Sequence, residues 1–140
     1  DATTHTGEID LYFFARGLRS YYNMGYRFRD EDANLERLDF TSHAAKLRYI
    51  RRVDIGRKVL KVEMAYRYEK RDYSGVTPGI GSIEGEPRKD ERHRVQIDLE
   101  YPVTKQGALQ LYLAYGDYQS NFPISNFDQG IVGSRYVYRW

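Results

Sequence analysis

The sequence predicts an all-β protein, an antiparallel up-and-down meander of about seven or eight strands. Apolar and polar residues alternate through most of the chain, as they do in strands that have one apolar face. The three- and four-residue spacing of amphipathic helices is weak throughout. Short polar turns separate the alternating stretches, and no linker divides the 140 residues. We therefore expect a single domain that spans residues 1–140.

The composition excludes several other classes of protein. Fourteen tyrosines, six phenylalanines and one tryptophan are too many aromatic residues for a disordered chain. No apolar run of about 18 residues is present, so membrane-spanning helices are not expected. The chain has no cysteine, which excludes disulfides and thiolate metal sites. A net charge of +2 is too small to predict nucleic-acid binding.

The first half of the chain contains four predicted strands, at residues 9–15, 22–28, 38–53 and 60–69. An acidic turn is expected at residues 30–34. The third strand alternates less cleanly than the others, because two of its apolar residues fall on the polar side. The fourth strand is the clearest, since every second residue from position 60 to position 68 is apolar.

The second half of the chain begins with a long loop and continues with further strands. Residues 74–91 hold four glycines and two prolines among many charges, which favours a loop. Strands are predicted at residues 94–101 and 109–118, and Pro102 ends the first of them because proline cannot donate to the ladder. A compact loop at residues 121–126 precedes the last strand.

The last predicted strand, residues 131–140, has an aromatic face and a basic face. An apolar face of this kind is buried either in a protein core or in lipid, so the other strands must decide between the two. Alternation divides the strand into Val132, Ser134, Tyr136, Tyr138 and Trp140 on one side and Gly133, Arg135, Val137 and Arg139 on the other.

The polar faces of the predicted strands are unusually rich in charges of both signs. In a soluble sandwich, apolar faces pack together and the outward positions carry mixed polar residues. In a transmembrane barrel, the apolar faces meet lipid and the alternate side chains meet water in the lumen. The charge favours a transmembrane β-barrel. The side chains that we expect to face its lumen are Arg27, Lys46, Arg48, Lys61, Glu63, Arg67, Glu69, Arg94, Asp98 and Glu100.

Aromatic residues gather near the predicted strand ends, as they do at the two interfaces of a membrane barrel. If the last strand descends to the periplasm, the strands alternate in direction and the aromatic residues form an outer and an inner belt. The short turns at residues 54–57 and 104–107 then lie on the periplasmic side, and the long loop lies outside. The predicted interface residues are Tyr26, Phe28, Tyr49, Tyr66, Tyr68, Tyr101, Tyr115, Tyr136, Tyr138 and Trp140.

The ending Ile131-x-Gly133-x-x-Tyr136-x-Tyr138-x-Trp140 resembles the C-terminal β-signal of Gram-negative outer-membrane β-barrels. It departs from the usual pattern at Trp140, where phenylalanine is commoner, and at Ile131, where a polar residue is commoner. The resemblance implies a location in the cell outer membrane, with membrane lipids and the barrel assembly machinery as partners. The residues that this machinery would read are Gly133, Tyr136, Tyr138 and Trp140. Residues 120–128 are also similar to the ends of larger barrels that follow periplasmic helical repeats in export proteins.

The predicted number of strands leaves the extent of the barrel open. A closed antiparallel meander needs an even number of strands. Either residues 1–8 form part of an eighth strand, or the chain is the C-terminal part of a larger barrel that other residues or other chains complete. We favour the larger barrel, because the many inward charges of an eight-stranded barrel would need a dense ion-pair network to offset their desolvation.

A lumen lined by charges predicts a pore or conduit for polar solutes such as anions or polysaccharides, with no cofactor. The basic residues among those lining it could form a track that favours anions. The acidic residues on neighbouring strands could equally neutralise them. The alternative function is a structural or assembly segment that sheaths or anchors a partner protein.

No catalytic or metal site is predicted. His5, His43 and His93 are scattered, without the spacing of metal ligands or of a catalytic triad. Enzymes on the barrel architecture use histidine with aspartate or serine near a rim, so His93 with Asp90 and Glu91 is the one candidate. A solvated loop end is the simpler interpretation, because acid–base chemistry needs side chains that converge.

Overall fold

The computed structural model describes residues 2–33, 35, 38–76 and 85–138, and these residues form one antiparallel sheet of seven strands. Each strand pairs with the next one along the chain, and the described residues contain no α-helix, so the predicted all-β up-and-down meander is confirmed. A short 3-10 turn at Pro123–Ser125 lies between the last two strands. The strands are β1 (Ala2–Phe14), β2 (Ser20–Ala33), β3 (Phe40–Ile55), β4 (Lys58–Tyr73), β5 (Lys89–Pro102), β6 (Gly107–Ser120) and β7 (Phe127–Tyr138).

The strands extend beyond the apolar stretches from which they were predicted. Residues 2–8 continue β1 and do not form an eighth strand. The prediction of an acidic turn at residues 30–34 is wrong for residues 30–33, because Asp30, Glu31 and Asp32 belong to β2 and pair with the neighbouring strands. Residue 34 lies outside the described residues. Apolar alternation marks only the part of a strand that has an apolar face, whereas backbone pairing also continues through polar residues.

Short turns and long connections lie at opposite ends of the sheet. At one end, which we call the turn end, β3 and β4 are joined by the two residues Gly56 and Arg57. Gly56 has a φ of 61°, a left-handed conformation that glycine adopts without strain. At the other end, which we call the loop end, the connection from β4 to β5 covers residues 74–88. The loop was predicted to extend to residue 91, but residues 89–91 belong to β5.

One face of the sheet, which we call the apolar face, consists largely of exposed hydrophobic side chains. Direct cross-strand pairing places Leu11, Met24, Leu47, Tyr66, Val95 and Tyr115 in one row across six strands. Leu11 is 51% exposed and Leu113 is 49% exposed. In the described ranges, no second layer of protein packs against this face, since all substantial contacts join neighbouring strands or link β6 to the short 3-10 turn.

The opposite face, which we call the charged face, is the sheltered side of the sheet. Apart from Ser20, every buried side chain of the described residues lies on it, and a sheet that curls towards this face produces such burial. Charges are therefore more enclosed than leucines, the reverse of a soluble core. The buried side chains of this face are Asn23, Phe40, Ser42, Ala44, Ile50, Glu69, Asp90, Ala108 and Ala114.

The two apolar residues that disturb the alternation of β3 pack on the charged face. Ile50 is completely buried and lies directly opposite Glu63. The ring of Phe40 lies between two guanidinium groups, with its centroid 5.4 Å from Arg29 Cζ and 5.0 Å from Arg71 Cζ. Both side chains therefore support the charged residues around them and do not belong to the apolar face.

The seven strands do not close into a ring. In the described part of the chain, β1 pairs only with β2 and β7 pairs only with β6, so both are edge strands. Because consecutive strands alternate in direction and seven is odd, β1 and β7 run in the same direction. The described residues therefore do not close a barrel by themselves, and the favoured alternative, a larger barrel completed by other residues or chains, stays a prediction.

Candidate functional site

The ten side chains that were predicted to face a lumen all lie on the charged face. Direct pairs such as Lys61 with Glu100 and Arg67 with Arg94 join β4 and β5, and Lys46 lies opposite Arg67 across β3 and β4. The set comes from β2, β3, β4 and β5, and it extends from one end of the sheet to the other. These residues and their neighbours form the candidate site.

In the turn-end half of the charged face, positive and negative charges balance. Arg48 Nε lies 2.6 Å from Glu63 Oε1, and Lys61 Nζ lies 3.1 Å from Glu63 Oε2. Gln110 donates to Glu100 Oε2 over 2.6 Å and accepts from Arg135 Nε over 2.5 Å. Such cross-strand networks offset the cost of sheltering charges.

A second ion-pair group connects β3 to β1 across the intervening strand β2. Lys46 Nζ lies 3.2 Å from Glu8 Oε1 and 2.9 Å from Asp10 Oδ1. Gly25 lies between these strands in register, and a Cβ at this position would overlap both the lysine and Asp10. The glycine therefore provides the space through which the lysine side chain reaches β1.

In the loop-end half of the charged face, five arginines surround a cavity of about 290 Å³. Glu69 is the one carboxylate in the wall of this cavity, and Tyr118 completes the wall. We call this group the arginine cluster. Its five arginines are Arg27, Arg67, Arg71, Arg92 and Arg94.

Glu69 is only 8% exposed and is tied to its neighbours by several contacts. Its Oε1 accepts from Arg71 Nε over 2.7 Å and from Ser42 Oγ over 3.2 Å. Its Oε2 lies 3.6 Å from Arg67. Glu69 is therefore shared by two arginines and a serine, and it also lies directly opposite Arg92 in register. One carboxylate among five arginines leaves the cluster with an excess of positive charge.

Sequence reasoning found three members of the arginine cluster and missed two. Arg71 and Arg92 lie beyond the predicted ends of their strands. Each continues an alternation that was already visible, because Arg71 follows Arg67 and Glu69 at every second position and Arg92 precedes Arg94 in the same way. Extending the alternation past the last apolar residue would have found both.

The predicted interface aromatics that the structure describes all lie on the apolar face. Tyr26, Tyr66 and Tyr115 belong to the loop-end half, whereas Tyr101 and Tyr136 share a row near the turn end through Leu109. Tyr49 stacks on Tyr22 near the middle of its strand, with ring centroids 4.7 Å apart. Trp140 lies outside the described residues.

Two glycine–tyrosine contacts explain residues of the predicted assembly signal. A Cβ at Gly133 would overlap the Tyr112 ring, which crosses the backbone of β7 on the charged face. On the apolar face, the Tyr136 hydroxyl lies over Gly107 in the same manner. In both cases the absence of a side chain lets an aromatic ring cover the neighbouring strand.

The candidate catalytic group does not converge. His93 lies on the apolar face, where its Nδ1 is 2.8 Å from the Tyr66 hydroxyl. Asp90 lies on the charged face, where its Oδ1 accepts from Arg88 Nε over 2.8 Å and from Ser120 Oγ over 2.7 Å. Within the described ranges, no group of three or more acidic or histidine side chains is arranged to hold a metal ion.

Comparison of the chain with family models, with curated proteins and with solved structures found no match. Among the described residues, no helix is long and apolar enough to cross a membrane.

Proposed function

We propose that this chain forms all or part of a transmembrane β-barrel in a Gram-negative outer membrane, and that its charged face lines a conduit for polar solutes. The observation that carries the proposal is the inverted burial of the sheet. Leucines, valines and tyrosines are exposed on one face while charged side chains are sheltered on the other. In water such an apolar face would be costly, and contiguous exposed patches of this kind mark contact with lipid or another apolar partner.

The distribution of aromatic residues supports a membrane as that partner. Two levels of the apolar face carry tyrosines. Tyr68 of β4 marks the outer level, and Leu60, eight residues away on the same strand, lies beside the row of paired residues that contains Tyr101. Eight residues extend about 26 Å along a strand, or about 20 Å of membrane height at a tilt of about 40°. This is close to the apolar band of about 25 Å in outer-membrane barrels. On the neighbouring strand β5, the apolar-face side chains between the two levels are Val95, Ile97 and Leu99, whereas β3 carries Tyr49 and Arg51 there.

The orientation follows from the lengths of the connections. Outer-membrane barrels have short periplasmic turns and longer extracellular loops. The two-residue connection at Gly56 and Arg57 belongs to the turn end, and the much longer connection between β4 and β5 starts and finishes at the loop end. We therefore assign the turn end to the periplasm, which places the arginine cluster in the outer half of the conduit.

Closure of the barrel requires further strands. With seven strands, β1 and β7 are parallel, so an all-antiparallel ring needs an odd number of additional strands between them. Residues outside this sequence or other chains would supply these strands. A wider barrel would also keep water in contact with the charged face and lower the cost of sheltering it.

The test is membrane insertion followed by conductance. The intact protein should fractionate with outer membranes, resist extraction by alkaline carbonate, and conduct ions in planar bilayers after purification in detergent. A folded monomer that stays soluble without detergent would contradict the proposal. Stable insertion without conductance would instead favour a barrel that sheaths or anchors a partner protein.

A further inference from the structure

We infer that the arginine cluster binds an oxyanion group, a carboxylate or a phosphate, carried by the solute that meets the charged face. This inference rests on the proposed function only for the source of that solute. The observation behind it is a charge imbalance confined to one part of the face, where five positive charges meet one negative charge. Neither a uniform basic track nor complete neutralisation across strands describes this arrangement.

The imbalance follows from how the carboxylates are distributed. Glu69 is already occupied by Arg71 and Arg67. In the part of the chain that the structure describes, Arg27, Arg92 and Arg94 form no ion pair with any carboxylate. Like charges gathered around a partly enclosed cavity repel one another, and a bound anion relieves this repulsion.

Aromatic rings hold two members of the cluster in place, and the stacking of Arg92 leaves its donors available. The Arg92 guanidinium lies over the Tyr118 ring at 5.6 Å, and Tyr118 stacks on Phe127 with centroids 4.3 Å apart. Arg71 is positioned by the Phe40 ring at 5.0 Å. Stacking fixes a guanidinium plane without using its N–H groups, so the Arg92 guanidinium can still donate to a ligand. Arg71 Nε already donates to Glu69, and Arg94 donates to Gln96 Oε1 over 3.3 Å, so these two arginines have fewer donors to offer.

The shape of the cavity limits what it accepts. Its walls come from β2, β4, β5 and β6, and its volume of about 290 Å³ is at the lower end of the range for small-molecule sites. It fits one or two oxyanion groups rather than a whole polymer. Guanidinium groups match the two oxygens of a carboxylate or phosphate through paired hydrogen bonds, which neutral sugars cannot reproduce.

Calorimetric titration of the intact, detergent-purified protein at low ionic strength tests this site. The probes are inorganic phosphate, a galacturonate oligosaccharide and, as the uncharged control, a maltose oligosaccharide of equal length. We expect saturable binding of at least one of the two anionic probes and none of the neutral sugar. Binding of phosphate alone would indicate small phosphate-bearing solutes, and binding of the galacturonate would indicate carboxylated sugars.

Variants separate the cluster from the general charge of the face. The double variant Arg92→Gln/Arg94→Gln should weaken anion binding by roughly tenfold or more, because it removes two charge-assisted donors. The control Lys61→Gln/Arg135→Gln removes the same charge from the turn-end half and should change the affinity by less than about twofold. Arg92→Lys/Arg94→Lys keeps the charge but loses the paired donors, and an intermediate affinity is expected.

Three outcomes would overturn the inference. These are no saturable anion binding to the folded wild-type protein, equal weakening in the cluster variant and the turn-end control, and equal binding of the neutral sugar. Thermal unfolding of each variant shows whether it has folded. If the protein inserts and conducts but binds no anion, only this inference is contradicted. If it is soluble and binds anions, only the proposed function is contradicted.

Discussion

At the scale of single residues, the glycines of this sheet mark places where a neighbouring side chain crosses the backbone. Gly133 lies beneath the Tyr112 ring, and Gly25 lies beneath the pair of Lys46 with Asp10. Gly130 differs from both, since nothing lies within 4 Å of the position that its Cβ would occupy. The glycine residues of one strand therefore differ in function, although they are indistinguishable by residue type.

This difference gives a matched pair of substitutions in β7. Gly133→Ala should destabilise the protein by about 1–3 kcal/mol, because the new methyl group displaces the Tyr112 ring. Gly130→Ala should be neutral or stabilising by up to about 1 kcal/mol, since alanine loses less conformational freedom on folding. The free energy of unfolding, measured with urea in detergent micelles, distinguishes the two.

The double variant Gly133→Ala/Tyr112→Ala identifies the cause. If the ring is responsible, adding Tyr112→Ala to Gly133→Ala should cost less than Tyr112→Ala does in the wild type, so the two effects are non-additive. Strictly additive effects would mean that the glycine matters for another reason. The sequence identified Gly133 through its resemblance to an assembly signal, but the partner ring lies on another strand and became evident only from the register.

At the scale of the strand, alternation assigned residues to faces correctly but made most strands too short. In β5, Gln96 lies on the charged face and Ile97 on the apolar face. The assignment succeeds because a period of two is a property of the extended backbone itself. Most strands were predicted too short because polar residues such as Asp30 can pair in a strand without contributing to an apolar pattern.

The two faces of β5 should therefore respond in opposite ways to the same new charge. Under the proposed function, Ile97→Arg places a guanidinium against lipid near the middle of the apolar band and should destabilise the protein by about 2–4 kcal/mol. Gln96→Arg places it on the charged face beside Asp98 and should cost less than about 1 kcal/mol. Urea unfolding in lipid vesicles measures both.

Equal effects of the two arginine substitutions would contradict the assignment of the apolar face to lipid. A large cost at Gln96 with a small cost at Ile97 would reverse the faces. Because the residues are adjacent on one strand, they lie at nearly the same depth, and the comparison isolates the face on which the charge is placed.

At the scale of the whole molecule, the unpaired edges are the feature that the proposal has to account for. His5 of β1 and Asp128 of β7 both lie near the loop end on the apolar face of edge strands that run in the same direction. If additional strands separate β1 from β7, these positions are far apart. If the seven strands close directly through a parallel pair, these positions lie on adjacent strands.

Cross-linking distinguishes these two forms of closure, and the cysteine-free sequence simplifies it. The control Asp117→Cys/Asp128→Cys joins residues that are directly paired across β6 and β7 and should form a disulfide on oxidation. The variant His5→Cys/Asp128→Cys should remain reduced in the intact protein. Efficient oxidation of this second pair would show that β1 and β7 are adjacent, contrary to the proposed insertion of further strands.

The sequence by itself determined the strands and the division of residues between an apolar and a charged face, because both follow from the local two-residue period of the extended chain. Only the tertiary structure decided which charges meet. Arg27, Arg67 and Arg92 are far apart along the chain, and strand register brings them to one cavity in which Glu69 is the single carboxylate among the described lining residues. Charge balance within a sheet depends on pairs between strands, and a local pattern does not contain those pairs.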